Sequence, residues 1–180
     1  MAIVLAMFYR ELTKLRAENR RLRNEVGELS INDPAKFYAM AVPMDEPFTW
    51  KWRVWIPAGR RFDLNYTSEN IPSAGFPNPN GAFENLPPGE HVVVYRIRKD
   101  PIDGHWKERV LCNSSSMGER EQDWVAWPRS KSADQEGVNR HSKEFPTDKP
   151  LVLARRRVGP VGSEIPDPSP GFMVWLEPLP

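Results

Sequence analysis

Along the first 33 residues apolar side chains return at alternating spacings of three and four, and beyond Pro34 they return at every second position. Leu5, Phe8, Leu12, Leu15, Leu22, Val26 and Leu29 carry the first pattern, with Asn19 on the same stripe. This is the seam of a coiled coil, in which positions a and d of a heptad turn toward a partner helix. Leu5, Leu12, Asn19 and Val26 take position a, and Phe8, Leu15, Leu22 and Leu29 take position d. In a parallel pair, Glu11 at g then reaches Arg16 at e of the partner, and Glu18 reaches Arg23. A buried amide at a single a position is tolerated opposite its twin, so Asn19 points to a parallel, in-register homodimer. A helix lying on its own domain would carry Asn19 as a flaw in its apolar face. The coiled-coil helix is expected over residues 10–33, because the proline of Asp33-Pro34 disfavours helical geometry in the residue before it. A seam of this length is marginal alone, and Gly27 weakens its last turn.

The period-2 region, residues 34–180, predicts strands. Trp50, Trp52, Val54 and Ile56 alternate with Lys51, Arg53 and Trp55; Pro57-Ala58-Gly59 supplies a turn; and Phe62, Leu64 and Tyr66 alternate again, which reads as a β-hairpin. A second hairpin is expected from His91–Lys99 and Trp106–Cys112, joined through Asp100-Pro101-Ile102-Asp103-Gly104. Further strands are expected at Phe37–Val42, Trp124–Trp127, Leu151–Arg156 and Phe172–Leu176. Six or seven short strands without a helix predict a mainly β fold, an antiparallel, jelly-roll-like β-sandwich, with a closed barrel as the alternative. Residues 129–150 contain almost nothing apolar and are expected to form a mobile loop. Pro72–Pro88 is a second polar stretch, and Gly159–Pro170 an extended connection.

Composition sharpens the division. All 19 prolines lie at or after Pro34 and all seven tryptophans at or after Trp50, whereas the first 33 residues hold one glycine and no proline. Met1–Tyr9 is uncharged and apolar around the whole helix, more than a seam requires. Nine residues are under half of the roughly 20 needed to span a bilayer, and no basic n-region or small-residue cleavage site marks a signal peptide. Phe8-Tyr9-Arg10 is the aromatic-then-basic punctuation found where a helix leaves a membrane. We therefore expect residues 1–9 to be the end of a single-pass anchor that begins upstream, or a segment dipping into the interface. The following Arg10, Lys14, Arg16, Arg20, Arg21 and Arg23 favour a cytoplasmic body, but heptad pairing accounts for part of them, and the side of the membrane stays open.

Charge and chemistry narrow the function. There are 25 Lys and Arg against 24 Asp and Glu, so no net field exists to hold nucleic acid. Cys112 is the single cysteine and cannot form an internal disulfide or a cysteine-built zinc site. His91, His105 and His141 show no metal-ligand spacing, and Asp100 and Asp103 read as turn residues rather than calcium ligands. Ser114, Ser115 and Ser116 lack a nucleophile elbow. No cofactor is implied, and the chain reads as non-enzymatic. A hydrolase using paired carboxylates would leave no trace in sequence. Trp55 falls on the opposite strand face from Trp50 and Trp52; with Trp106, Trp124 and Trp127 it is the candidate platform for stacking sugar rings of an envelope glycan. Arg155-Arg156-Arg157, and Arg96, Arg98 and Lys99, read as solvated strand faces, with lipid headgroups or an acidic partner as the alternative. Asn65-Tyr66-Thr67 and Asn113-Ser114-Ser115 match the glycosylation sequon.

The succession of the apolar run, LRAENRRLRNEVG, DPAKFYAMAVP, TWKWRVWIPAG and LPPGEHVVVYRIRKD resembles uncharacterised bacterial, planctomycete-type membrane-anchored proteins. The resemblance implies a transmembrane helix before the coil and a β-domain after it, and carries no activity. The reading as a whole is a membrane-associated structural or interaction protein whose coiled coil dimerises and presents β-sandwich heads. A carbohydrate-binding head is the alternative.

Overall fold

The computed structural model describes residues 10–15, 18, 27–121, 131–160, 162 and 164–180. Among the described residues, eleven strands form two antiparallel sheets: β1 Phe37–Val42, β2 Thr49–Ile56, β3 Phe62–Ser68, β4 Gly81–Leu86, β5 Gly89–Lys99, β6 Trp106–Cys112, β7 Ser115–Glu121, β8 Lys131–Gly137, β9 Lys143–Phe145, β10 Leu151–Pro160 and β11 Gly171–Pro178. Sheet A has the order β7-β6-β5-β2-β1-β9, and sheet B the order β4-β3-β11-β10-β8. Trp52, Val54, Val93, Tyr95 and Val110 from sheet A share one buried cluster with Leu64, Leu153, Phe172 and Val174 from sheet B. The layers therefore close as a sandwich, each strand turning alternate residues inward.

Aromatic rings join the layers. Phe37 of β1 stacks on Phe62 of β3 at 4.7 Å, and Tyr95 of β5 stacks on Phe172 of β11 at 4.2 Å. The first contact explains why β2 and β3 do not form the expected hairpin. Ile56 and Phe62 are both fully buried, and the Pro57–Gly59 turn carries the chain from one sheet to the other so that each strand offers its apolar side to the same core. β2 pairs with β1 and β5, and β3 with β4 and β11. The β5–β6 hairpin forms as read, with Arg96 opposite Arg109 and Arg98 opposite Lys107.

Within the expected loop at 129–150, two segments are instead built into the sheets, Lys131–Gly137 and Lys143–Phe145. β8 pairs with β10 from Ala154↔Gly137 to Pro160↔Lys131, and β9 pairs with β1 through Phe37↔Phe145. Apolar content failed as a guide here because these are edge strands, where charged residues suit an exposed border. The predicted strand at Trp124–Trp127 lies outside the described residues.

The coiled-coil expectation needs a correction as well. Among the described residues, helix is confined to 10–15 and 18, and no coiled coil is seen. Gly27 adopts φ 72°, a left-handed conformation that suits glycine and ends a helix, so the expected helix over 10–33 does not reach Asp33. Leu29 is not a seam residue: it is buried against the outer face of sheet A with Tyr38, Met40 and Trp55. Ser142 donates to the Ser30 carbonyl, the Asp33 amide donates to the Tyr38 hydroxyl, and Trp55 Nε1 donates to the Pro34 carbonyl. Residues 27–34 thus form a strap across β1 and β2. Leu12 and Leu15 are 49% and 65% exposed, and Glu11 pairs with Lys14 on its own helix at 3.3 Å. Glu18 is helical and exposed. Leu5, Phe8, Arg16, Asn19, Leu22, Arg23 and Val26 lie outside the described residues. Among those described, no helix is long and apolar enough to cross a membrane.

The strap assignment makes an expectation that a seam position would not. Leu29→Ala should lower unfolding free energy by about 2–5 kcal/mol, the usual range for truncating a buried leucine, without altering the oligomeric state. Urea unfolding and light scattering on the same sample check both halves.

Candidate functional site

Two changes of partner open the sandwich along one side. β9 accompanies β1 only over Phe37–Ala39, and residues 138–142 then cross from sheet B to sheet A. Val138 N donates to the Leu153 carbonyl, and Ala41 N donates to the Asn139 carbonyl. Between β1–β2 and β8–β10 this leaves a cleft of about 540 Å³. Its lining includes the buried Thr49, Trp52, Leu153 and Ala154, the half-buried Trp50 and Val138, and, among its exposed residues, Gln135, Glu136 and Arg140. Trp50 is fixed from behind by Phe172 at 4.5 Å and Tyr95 at 6.0 Å. The Arg156 guanidinium sits 5.7 Å over the Trp50 ring and donates to Gln135 Oε1 at 2.8 Å. Burial lowers its pKa, as expected for a cation drawn under the lip of a sandwich. The lining is more polar than apolar, which suits a polar ligand held by hydrogen bonds.

The expected tryptophan platform is not assembled this way. Trp55 lies on the outer face of sheet A, beneath the strap and bonded to Pro34. Trp106 points inward and meets Phe48 edge-on at 5.7 Å. They stand on opposite faces, and Trp124 and Trp127 lie outside the described residues. The alternation of Trp50, Trp52 and Trp55 separated the faces correctly, but the inner pair lines the cleft.

Deeper in the sandwich lies a carboxylate that the sequence reading missed. Glu108 is 1% exposed; its two oxygens accept from Ser68 Oγ at 3.0 Å and Tyr95 OH at 2.5 Å. Asn80 Nδ2 donates to Ser68 O and Oγ at 3.2 and 3.3 Å. Burial beside this carboxylate pushes the Tyr95 phenol well above its ordinary range. The signal was present: Glu108 shares parity with Trp106, Val110 and Cys112, so alternation alone turns it inward.

The remaining polar residues have structural partners. His91 Nε2 must carry its proton, because it meets the Pro87 carbonyl at 2.8 Å; Nδ1 then accepts from Asn113 Nδ2 at 3.1 Å. His91 and Cys112 border one hollow with Ser114–Ser116, but both imidazole nitrogens are occupied. The Cys112 thiol is pushed up to about 11 by burial, the opposite of what activates a nucleophile. Asn113 also accepts from Val92 N, and Asn65 is buried and bonded to Glu177, so the side-chain amide of each sequon is already engaged. Asp100 and Asp103 accept from the amides of Ile102 and His105 as turn residues, and Lys107, bonded to both, holds their pKa values below the ordinary carboxylate range. Arg155 and Arg157 are not a solvated face: each is 7% exposed. Arg155 donates to the carbonyls of Ser73 and Gly75, and Arg157 to that of Pro166. Among the described residues no three His, Cys, Asp or Glu gather as metal ligands.

Comparison with known protein families, with curated proteins and with solved structures found no match to this chain. The functional reading therefore rests on its own residues.

The Cys112 environment predicts an inert thiol. At pH 8 the native protein should not react with a disulfide reagent such as dithionitrobenzoate, one thiol per chain should react in denaturant, and His91→Ala should not make native Cys112 reactive.

Proposed function

We propose that this chain is a non-enzymatic, membrane-associated interaction protein in which the N-terminal helix pairs in parallel with that of a second copy and presents β-sandwich heads. The observation that carries the reading is the exposure of Leu12 and Leu15, 49% and 65%, at successive a and d positions. An amphipathic helix lying on its own domain would cover them; a seam awaiting a partner leaves them open. Asn19 and the g-to-e pairs Glu11–Arg16 and Glu18–Arg23 set the register and direction of that pairing, and the uncharged run 1–9 brings the N-terminus to a membrane. The resemblance to planctomycete-type membrane-anchored proteins points the same way. The engagement of His91 and the buried, high-pKa thiol of Cys112 favour binding over catalysis.

In the full chain, light scattering should give twice the chain mass, and Leu12→Glu with Leu15→Glu should give a single chain with the Tm of the head unchanged. A wild-type monomer at every concentration overturns the reading.

A second reading concerns what the head binds, and the cleft favours it. Gln135, Glu136 and Arg140 suit the hydroxyls of a sugar ring, and the half-buried Trp50 beside them would report its arrival. A soluble envelope polysaccharide should change tryptophan fluorescence, and Arg140→Ala, at an exposed residue, should weaken binding roughly tenfold, the cost of a lost hydrogen bond to a charged group. Silence across a polysaccharide panel removes this reading.

A further inference from the structure

The hollow between the edge strands β4 and β7 is bordered by a histidine whose hydrogen bonds admit one protonation state. His91 is 4% exposed and stands where β5 begins, beside a space of about 470 Å³ that Leu86, Pro87 and Asn113 also line. A backbone amide sets the arrangement. Val92 N donates to Asn113 Oδ1 at 2.9 Å, which fixes the orientation of that side-chain amide and turns its Nδ2 donor toward the ring. Nδ2 lies 3.1 Å from His91 Nδ1, so Nδ1 is a bare acceptor, and the ring's proton sits on Nε2, 2.8 Å from the Pro87 carbonyl. One neutral tautomer thus ties the β4–β5 turn to the β6–β7 turn. A second proton, on Nδ1, would set an N–H against an NH2 group, and the Asn113 amide cannot turn to accept it without giving up Val92. The surroundings offer such a charge no counter-ion. β2 places Val54 opposite His91, β6 supplies the Cys112 thiol, which burial keeps protonated, and β7 supplies Ser115, Ser116 and Met117. Glu84 of β4 is the one carboxylate among the described lining residues; it is exposed and makes no ion pair with the ring. Glu90, next to His91 on β5, is paired with Arg53 at 2.8 Å.

We propose that His91 is an acid-sensitive latch: its neutral form holds the β4–β5 and β6–β7 turns together across the hollow, and uptake of a second proton releases Asn113 and loosens both turns. The interval is pH 8 to 5, in which histidine changes charge. The latched state is the one with fewer protons, so acid favours the released state. The latch depends neither on the pairing of the N-terminal helix nor on what the cleft binds.

The test uses the full chain. At pH 8, long-range proton–nitrogen NMR should show His91 as the Nε2–H tautomer; the Nδ1–H tautomer, or a ring already doubly protonated, overturns the proposal. Between pH 8 and 5 the protection of the Val92 amide against exchange, corrected for the intrinsic rate, should fall in wild type, and unchanged protection overturns the release. Thermal unfolding over the same interval adds a comparison of variants. Wild type should lose about 2–4 °C more in Tm than His91→Leu, the worth of one hydrogen bond in a chain of this size, and an equal loss counts against the latch. Asn113→Asp keeps an acceptor for Val92 N and adds one for a protonated Nδ1, so its Tm should gain on that of wild type as the pH falls. A constant or widening deficit in this variant overturns the proposal too, whether or not His91→Leu folds.

Discussion

Phe172 is the contact on which the sandwich turns. It comes from sheet B and lies between two rings of sheet A, Tyr95 at 4.2 Å and Trp50 at 4.5 Å. The three rings join the layers, and each partner then performs a second task at its other end. The Tyr95 hydroxyl meets Glu108, whose other oxygen takes the Ser68 hydroxyl from the opposite sheet. A buried carboxylate without partners would cost several kcal/mol; with two short hydrogen bonds it becomes a directional link across a core that is otherwise held by non-directional apolar contact. Trp50 carries Arg156 on its far face and so sets the back of the cleft.

The two outer faces are treated differently. On sheet B, Ile71, Met173 and Trp175 form a buried outer cluster, and Phe76 reaches Trp175 at 5.9 Å. Arg155 and Arg157 hold the covering loops by their carbonyls. Their stems pack while their guanidiniums take backbone oxygens that would otherwise lie unpaired under a loop, which is the use arginine serves better than lysine. On sheet A an arginine instead meets a loop through a side chain: Arg98 donates to the carboxylate of Glu46, in the connection between β1 and β2.

Much of the strand pattern was legible, and the reasons for the exceptions are physical. β1 was predicted at its observed bounds, Phe37–Val42, and the β5–β6 pair was predicted as a hairpin, because alternation and a tight Asp-rich turn act locally. The pairing of β2 with β3 was not legible, since a turn that reverses a chain within a sheet and one that carries it across to the other sheet share the same Pro and Gly chemistry; only the Phe37–Phe62 contact, 25 residues apart, decides between them. β8 and β9 were hidden because edge strands are written in charges. Leu29 fitted the heptad and yet packs on the sheet, for a repeat predicts which face of a helix is apolar but not where the helix ends. The cleft was half legible: the tryptophan alternation was seen, but which face would be open depends on where β9 stops pairing.

The strap links the two parts of the chain by more than a tether. A Cβ at Gly27 would lie 2.6 Å from Val42 Cγ1, and its φ of 72° disfavours any other residue, so the point at which the chain meets the sheet has little freedom. From there Leu29 is buried, and the bonds to Ser142, Tyr38 and Trp55 engage β1, β2 and the 138–142 crossing in turn. That crossing borders the cleft, and Ala41, Trp50 and Trp52 of the strapped strands line it. A constraint applied at Gly27 is therefore delivered to the strands that shape the candidate site, rather than to a free loop.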